Sequence, residues 1–275
     1  MLRFSQVDVF TDQLLSGNPV AVVHDADGLR TEQMLALARW TNLSETTFLS
    51  TPTDPVADYR LRIFTPSREL PFAGHPTLGS ARAWLLAGGL AQEPGGLVQE
   101  CGAGLVPIRR DGDRLAFAAP PLRRGGAVAA ADLQQVAHGL DLELDDIVDA
   151  QWADNGPGWV ALLLKDAESV LALEPRPQRA GELGKVGVVG PYPPGAEAAF
   201  ELRAFVDGSR EDPATGSLNA AVAQWLIGTG QAPRSYVASQ GTRLQRRGRI
   251  HVHASAGEIW IGGDTVLGVS GTIAL

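Results

Sequence analysis

The feature that most constrains this chain is an internal repeat, because its second half restates the pattern of its first half about 141 residues later. The matched positions are Arg62 with Arg203, Phe64 with Phe205, Arg68-Glu69 with Arg210-Glu211, Pro71 with Pro213, Gly74 with Gly216, and Trp84 with Trp225. The period is too long for a solenoid repeat. It predicts two related domains, each carrying a strand, a polar loop, a Gly-X pair and a helix.

The length and the linker composition agree with two domains. At 275 residues the chain is near the size at which one hydrophobic core stops growing. A Pro-Pro-Leu-Arg-Arg-Gly-Gly stretch beginning at Pro120 has the composition of a linker. We therefore expect domains at residues 1–119 and 120–275, with the last strand free to return to the N-terminal domain. Strand-like and helix-like segments alternate in both halves. The first predicted helix has Met34, Leu37, Ala38 and Thr41 on one face, and Asp111-Gly112 is the predicted turn of a hairpin over residues 104–118.

Each half also carries a Gly-X pair at a predicted helix start, Gly74-His75 and Gly216-Ser217. A glycine lets a ligand approach the backbone closely, and a helix N-terminus offers unpaired N–H groups and a positive dipole end. Each half is therefore expected to cradle an anion, and a small carboxylate is the ligand class that this pattern favours.

Three side chains near these segments are candidate acid–base groups. Glu45 lies in N-L-S-E-T-T-F between a helix and a strand, where burial would make it a general acid or base; the alternative is a solvated loop acid. The helix dipole would keep His75 neutral, and a helix-capping role is its alternative. Asp212 and Ser217 can each cap the second helix, although Ser217 can also donate to a carboxylate. Asn18 belongs to a Gly-Asn-Pro turn, from which its amide could contact a substrate.

Composition excludes several function classes. The net charge is −8 and no basic run of five or more residues occurs, so neither nucleic acid nor an anionic membrane is an expected partner. The N-terminus does not resemble a leader peptide, which predicts a cytoplasmic protein. A single cysteine rules out an intrachain disulfide and two-thiol catalysis within one chain. We expect neither a metal nor a nucleotide cofactor, since no ligand spacing or glycine-rich fingerprint is found.

Four co-linear motifs resemble the phenazine biosynthesis PhzF-like family. They are V-D-V-F-T-D-Q-L-L-S-G-N-P-V-A-V-V, N-L-S-E-T-T-F, F-T-P-S-R-E-L-P-F-A-G-H-P-T-L-G-S-A and R-A-F-V-D-G-S-R-E-D-P-A-T-G-S-L-N-A. The resemblance implies an α+β, diaminopimelate-epimerase-like fold with two pseudo-symmetric domains. Each domain would be a mostly antiparallel sheet wrapped around a central helix, with the active site in the cleft between them. A homodimer is also expected.

The resemblance also implies a reaction without a cofactor. By motif, Glu45 is the catalytic glutamate and His75 and Asp212 assist it; the substrate contacts are Asn18, Ser44, Gly74, Gly216 and Ser217. Epimerases of this fold use one cysteine per domain, and neither Gly-X segment here contains one. The expected activity is therefore a one-base isomerisation of a small carboxylic acid, resembling that of trans-2,3-dihydro-3-hydroxyanthranilate isomerase. Two alternatives stay open: a non-catalytic carboxylate-binding protein, and a racemase or epimerase of amino or hydroxy acids.

Overall fold

A computed structural model describes residues 1–175, 184–206 and 210–275 of the chain. Residues 207–209, which belong to the fourth motif, lie outside the described residues. The described part contains seventeen strands and five α-helices, which confirms the α+β class. It divides into two compact units: Met1–Ala118 with Gly262–Leu275, and Ala119–Ile261. No helix in the described ranges has both the length and the apolar content that a membrane span requires.

Unit 1 is a mixed sheet with two helices. Its elements are β1 (Leu2–Val9), β2 (Asn18–Val23), α1 (Thr31–Thr41), β3 (Thr46–Ser50), β4 (Tyr59–Phe64), β5 (Glu69–Leu70), α2 (Gly74–Leu86), β6 (Gly96–Cys101), β7 (Gly104–Asp111) and β8 (Arg114–Ala118), together with the C-terminal β17 (Thr265–Ile273). The strand order is β17-β1-β2-β3-β4-β6-β7-β8, with β5 paired to β4. The β2–β3 and β4–β6 pairs are parallel, and the others are antiparallel.

The helix α2 is the centre of unit 1. It contacts strands along the whole sheet, from β17 and β1 to β8, so the sheet wraps around it. The first eight residues of α2, from Gly74 to Ala81, are all buried. An ideal Cβ on Gly79 would lie 2.3 Å from Cγ1 of Val20, so the glycine permits the close approach of α2 to β2. On the outer face of the sheet, α1 buries Met34, Leu37 and Ala38, the face predicted from helical periodicity.

Unit 2 repeats this construction. Its elements are α3 (Ala130–Leu140), β9 (Ile147–Trp152), β10 (Trp159–Leu164), α4 (Ala167–Ala172), β11 (Lys185–Pro191), β12 (Phe200–Val206), β13 (Arg210–Asp212), α5 (Gly216–Gly228), β14 (Ser235–Gln240) and β15 (Gly248–Ser255). The next strand, β16 (Glu258–Gly263), begins in unit 2, and its last two residues belong to unit 1. The order β9-β10-β11-β12-β14-β15, with β13 on β12, has the same sequence of antiparallel and parallel pairs as β1-β2-β3-β4-β6-β7 with β5 on β4. The predicted pseudo-symmetry is therefore present in the topology.

A duplicated ion pair fixes equivalent hairpins in the two units. The guanidinium of Arg62 on β4 binds the Glu69 carboxylate on β5 through two hydrogen bonds of 2.7 Å. Arg203 on β12 binds Glu211 on β13 in the same bidentate way, at 3.1 and 2.8 Å. Each guanidinium also lies about 5 Å from a phenylalanine two residues further along its strand, at 5.1 and 5.0 Å. These hairpins directly precede α2 and α5, whose first residues are Gly74 and Gly216.

Candidate active site

In unit 1 the folding of separate motifs brings three predicted site residues together. Glu45 directly precedes β3, His75 is the second residue of α2, and Asn18 is the first residue of β2. Nε2 of His75 lies 3.3 Å from Oε2 of Glu45, and Nδ2 of Asn18 lies 3.4 Å from Nδ1 of His75. The Glu45 side chain is only 15% exposed, so it is not a solvated loop acid. The result is a compact polar cluster at the start of the central helix.

The charge state of His75 follows from its burial. Loss of solvation lowers the pKa of His75 to about 3, so its imidazole is neutral at pH 7. The Asn18 Nδ2–H group donates to Nδ1, which places the single ring proton on Nε2. Nε2 lies 3.3 Å from the Glu45 carboxyl oxygen Oε2, but the two atoms do not have hydrogen-bond geometry. The two side chains thus place a neutral imidazole beside a carboxyl group.

The N-terminus of α2 begins one residue before His75. Its N-cap residue, Ala73, has no side chain that can satisfy the first-turn N–H groups, and Gly74 is buried. A helix end of this kind attracts negative charge through its N–H groups and dipole. Ser44 lies half-buried beside Glu45 in the loop that leads to β3. Of the predicted substrate-binding residues of unit 1, Asn18 therefore contacts His75, and Ser44 and Gly74 are the sequence neighbours of Glu45 and His75.

In unit 2, a buried network orders the start of α5. The Thr215 hydroxyl donates to Oδ2 of Asp212 at 2.5 Å. Gln240 on β14 donates through Nε2 to the Asp212 carbonyl and to the Thr215 hydroxyl, both at 2.9 Å. Its Oε1 accepts from the Thr215 N–H at 3.0 Å and from Asn219 at 2.9 Å. Asp212 is thus held by Thr215. Thr215 is the N-cap residue of α5, but its side chain does not cap the helix.

Ser217, the second residue of α5, is held by Asn155 of the β9–β10 connection and by Trp159, the first residue of β10. The indole Nε1–H of Trp159 donates to the Ser217 hydroxyl oxygen at 3.0 Å. The side-chain amide of Asn155 donates to the Ser217 carbonyl at 2.9 Å. Ser217 is not the N-cap residue, since Thr215 occupies that position without capping the helix through its side chain.

Sequence reasoning did not identify the residues that support the unit 2 cluster: Asn155, Trp159, Thr215 and Gln240. One signal was present, and it concerns Gln240. Gln240 repeats Gln99 at the spacing of 141, and Gln99 also lies buried beneath its central helix, donating to Thr77 at 3.0 Å. Asn155 and Trp159 bracket the turn N-G-P-G-W, whose composition resembles that of any surface loop.

The chain matches known proteins over nearly its full length. The family model described as "Phenazine biosynthesis-like protein" matches residues 7–271. "Antisense-enhancing sequence 1" of Schizosaccharomyces pombe is 37% identical, over 98% of this chain and 97% of that protein. The trans-2,3-dihydro-3-hydroxyanthranilate isomerase of Pseudomonas chlororaphis is 34% identical, over 84% of this chain and 82% of that enzyme.

Solved structures give the same result. A predicted epimerase from Pseudomonas aeruginosa superposes with a TM-score of 0.82 and 29% identity over the whole of both chains. Relatives of this chain are named isomerases, including an uncharacterized one from Pasteurella multocida that is 32% identical over 94% of this chain and 90% of its own length. Isomerase is accordingly its enzyme class. With the family model, the relatives and the duplicated fold in agreement, this chain belongs to the phenazine biosynthesis-like (PhzC-PhzF) family.

Proposed function

We propose that the chain is a cofactor-independent isomerase that moves a proton within a small carboxylic acid, using Glu45 as its single acid–base group. The observation that carries the proposal is the 3.3 Å contact between Glu45 and a neutral His75 at the N-terminus of α2. A carboxylate in this environment can accept a proton from carbon, and as a carboxylic acid it can return one.

The proposed reaction needs one base and one face of the substrate. The Glu45 carboxylate removes a proton from one carbon, so a C–H bond breaks and an O–H bond forms. The carboxylic acid then protonates a different carbon of the same conjugated system, which regenerates the carboxylate. Neutral His75 donates through Nε2–H and stabilises negative charge on Glu45 or on the substrate. The reaction requires neither a thiol nor a second base.

The remaining predicted residues are assigned to substrate binding and proton relay. We assign Asn18 to holding His75, and Ser44 and Gly74 to contacts with substrate at the start of α2. In unit 2, Gly216 and Ser217 are assigned to the substrate carboxylate and Asp212 to proton relay. Trans-2,3-dihydro-3-hydroxyanthranilate is the first compound to test, because the isomerase of Pseudomonas chlororaphis is named for it.

Proton NMR in D2O tests the proposal. Wild-type protein should incorporate deuterium into trans-2,3-dihydro-3-hydroxyanthranilate as it is isomerised, and Glu45→Gln should lower the rate by about 100-fold or more. Glu32→Gln is the control, because Glu32 is an exposed carboxylate on α1, 82% accessible. Undiminished turnover in Glu45→Gln would exclude Glu45 as the base. Loss of optical rotation from an enantiopure substrate would instead indicate a racemase with a second base.

A further inference from the structure

Both the hydroxyl oxygen and the carbonyl oxygen of Ser217 accept a hydrogen bond from a side chain. Trp159 donates to the hydroxyl oxygen at 3.0 Å, and Asn155 donates to the carbonyl oxygen at 2.9 Å. Trp159 is 1% exposed and Asn155 is 6% exposed, so both donors belong to the interior of unit 2. Ser217 itself is half-buried at the first turn of α5.

The chemistry of the indole group decides the direction of the serine proton. An indole N–H can only donate, so the Ser217 oxygen must be the acceptor in this hydrogen bond. The hydroxyl proton therefore points away from Trp159. The hydroxyl is a further donor at the first turn of α5, where the side chain of the N-cap residue Thr215 does not satisfy the backbone N–H groups. A hydroxyl fixed in this way is a preorganised donor, and donors at a helix N-terminus favour an anion.

Asn155 supplies a second, independent sign that this end of α5 binds a ligand. Its Nδ2 is committed to the Ser217 carbonyl, and its Oδ1 is buried with no hydrogen-bond partner in the part of the chain that the structure describes. Buried amide oxygens are rarely left without a donor. This oxygen is an acceptor, so it calls for a hydrogen-bond donor on the ligand and not for its carboxylate.

We infer that Trp159 and Asn155 are positioning residues that hold Ser217 as a hydrogen-bond donor to the carboxylate of the substrate. This arrangement gives the α5 end a preference for a carboxylate over a neutral amide of the same shape. The inference rests on the proposed function, because it names the group of that substrate which the start of α5 recognises.

Calorimetric titration with benzoate and with its neutral isostere benzamide tests the inference. Ser217→Ala should weaken benzoate binding about tenfold or more, which corresponds to loss of a charge-assisted hydrogen bond. Trp159→Phe should weaken it about three- to tenfold, since the hydroxyl remains but is no longer oriented. In a Ser217→Ala background Trp159→Phe should have no further effect, because Trp159 acts through Ser217. Benzamide affinity should change less than about twofold throughout.

Trp225→Phe is the matched control. Trp225 is a buried tryptophan on α5, the helix that contains Ser217, and in the described structure its indole does not form a hydrogen bond with Ser217. Equal losses in Trp159→Phe and Trp225→Phe would overturn the inference, as would additive losses in the double variant. Absence of benzoate binding to wild-type protein would overturn it as well. None of these binding measurements depends on proton transfer by Glu45, so their outcome is independent of that of the deuterium experiment.

A second measurement applies if Trp159→Phe does not fold. With 15N-labelled tryptophan, the six indole N–H signals of the chain can be followed by NMR. Ser217→Ala should shift one of them strongly, and benzoate should shift the same signal in wild-type protein. If benzoate leaves that signal unmoved, Ser217 is not the carboxylate donor and the inference is wrong.

Discussion

The Nε2 atom of His75 lies 3.3 Å from Oε2 of Glu45, although the two residues are thirty positions apart and belong to different motifs. Because burial lowers the pKa of His75 to about 3, this contact places a neutral imidazole, not an imidazolium, beside a carboxyl group. An imidazolium would hold Glu45 as a permanent ion pair and weaken it as a base. In the proposed reaction, a neutral ring leaves the carboxylate able to accept a proton from carbon.

The ring proton of His75 is expected on Nε2, since Asn18 donates to Nδ1. Long-range 1H–15N NMR at pH 7 should show this tautomer for the one of five histidines that disappears in His75→Gln. Asn18→Asp replaces the donor with an acceptor, so the proton should move to Nδ1 or the ring should become charged. The same Nε2–H tautomer in both proteins would contradict this account.

Protein stability should fall as the pH decreases because of His75. Its folded-state pKa of about 3 lies below the ordinary value of 6.5, so between these values the unfolded state binds more protons. The contribution of His75 to the free energy of unfolding should decrease by about 1.4 kcal/mol per pH unit in this window, or about 2 kcal/mol from pH 6.5 to 5. Urea unfolding of wild type and His75→Gln measures the difference.

The control for this pH effect is His253→Gln, which removes an exposed imidazole. It should keep the wild-type dependence on pH, whereas His75→Gln should be flatter below pH 6.5. Identical curves for all three proteins would mean that His75 is not buried in solution as it is in the structure.

Gly79→Ala should destabilise unit 1. The added Cβ would lie 2.3 Å from Cγ1 of Val20 and 3.0 Å from Cγ2 of Val9, between α2 and the sheet. We expect a loss of about 1–3 kcal/mol, which exceeds the gain in helix propensity. Gly228→Ala, at the last residue of α5, adds a Cβ with no atom within 4 Å and should be neutral or slightly stabilising. Thermal unfolding of the two variants compares them, and a neutral Gly79→Ala would show that α2 can move away from β2.

The duplicated ion pairs should differ in energy because they differ in burial. Arg203 and Glu211 are 5% and 8% exposed, whereas Arg62 and Glu69 are 24% and 39% exposed. Arg203→Met leaves Glu211 as an unpaired buried charge and also removes the donor to the Leu173 carbonyl at 2.6 Å. It should cost about 3–5 kcal/mol, against about 0–1 kcal/mol for Arg62→Met. Equal losses in urea unfolding would contradict this assignment.

Local patterns were sufficient for much of this fold. The apolar spacing of α1 identified its buried face, and Asp111-Gly112 identified the turn between β7 and β8. The repeat matched Arg62 with Arg203 and Glu69 with Glu211, and these four residues form the equivalent ion pairs. Such features depend on neighbouring residues or on the duplication itself, so they can be recognised from the amino-acid sequence.

The sequence by itself therefore determined the class of fold, the duplication, and the motifs that contain Glu45, His75, Asp212 and Ser217. Only the tertiary structure decided which side chains meet: that His75 contacts both Glu45 and Asn18, and that Trp159, Asn155 and Gln240 support the start of α5. It also decided the cause of the neutral charge of His75: the sequence predicted that charge from the helix dipole, whereas in the structure it results from desolvation, which depends on every residue packed around the ring. Contacts between residues distant in the chain are set by strand register and helix packing, which no local pattern of residues specifies.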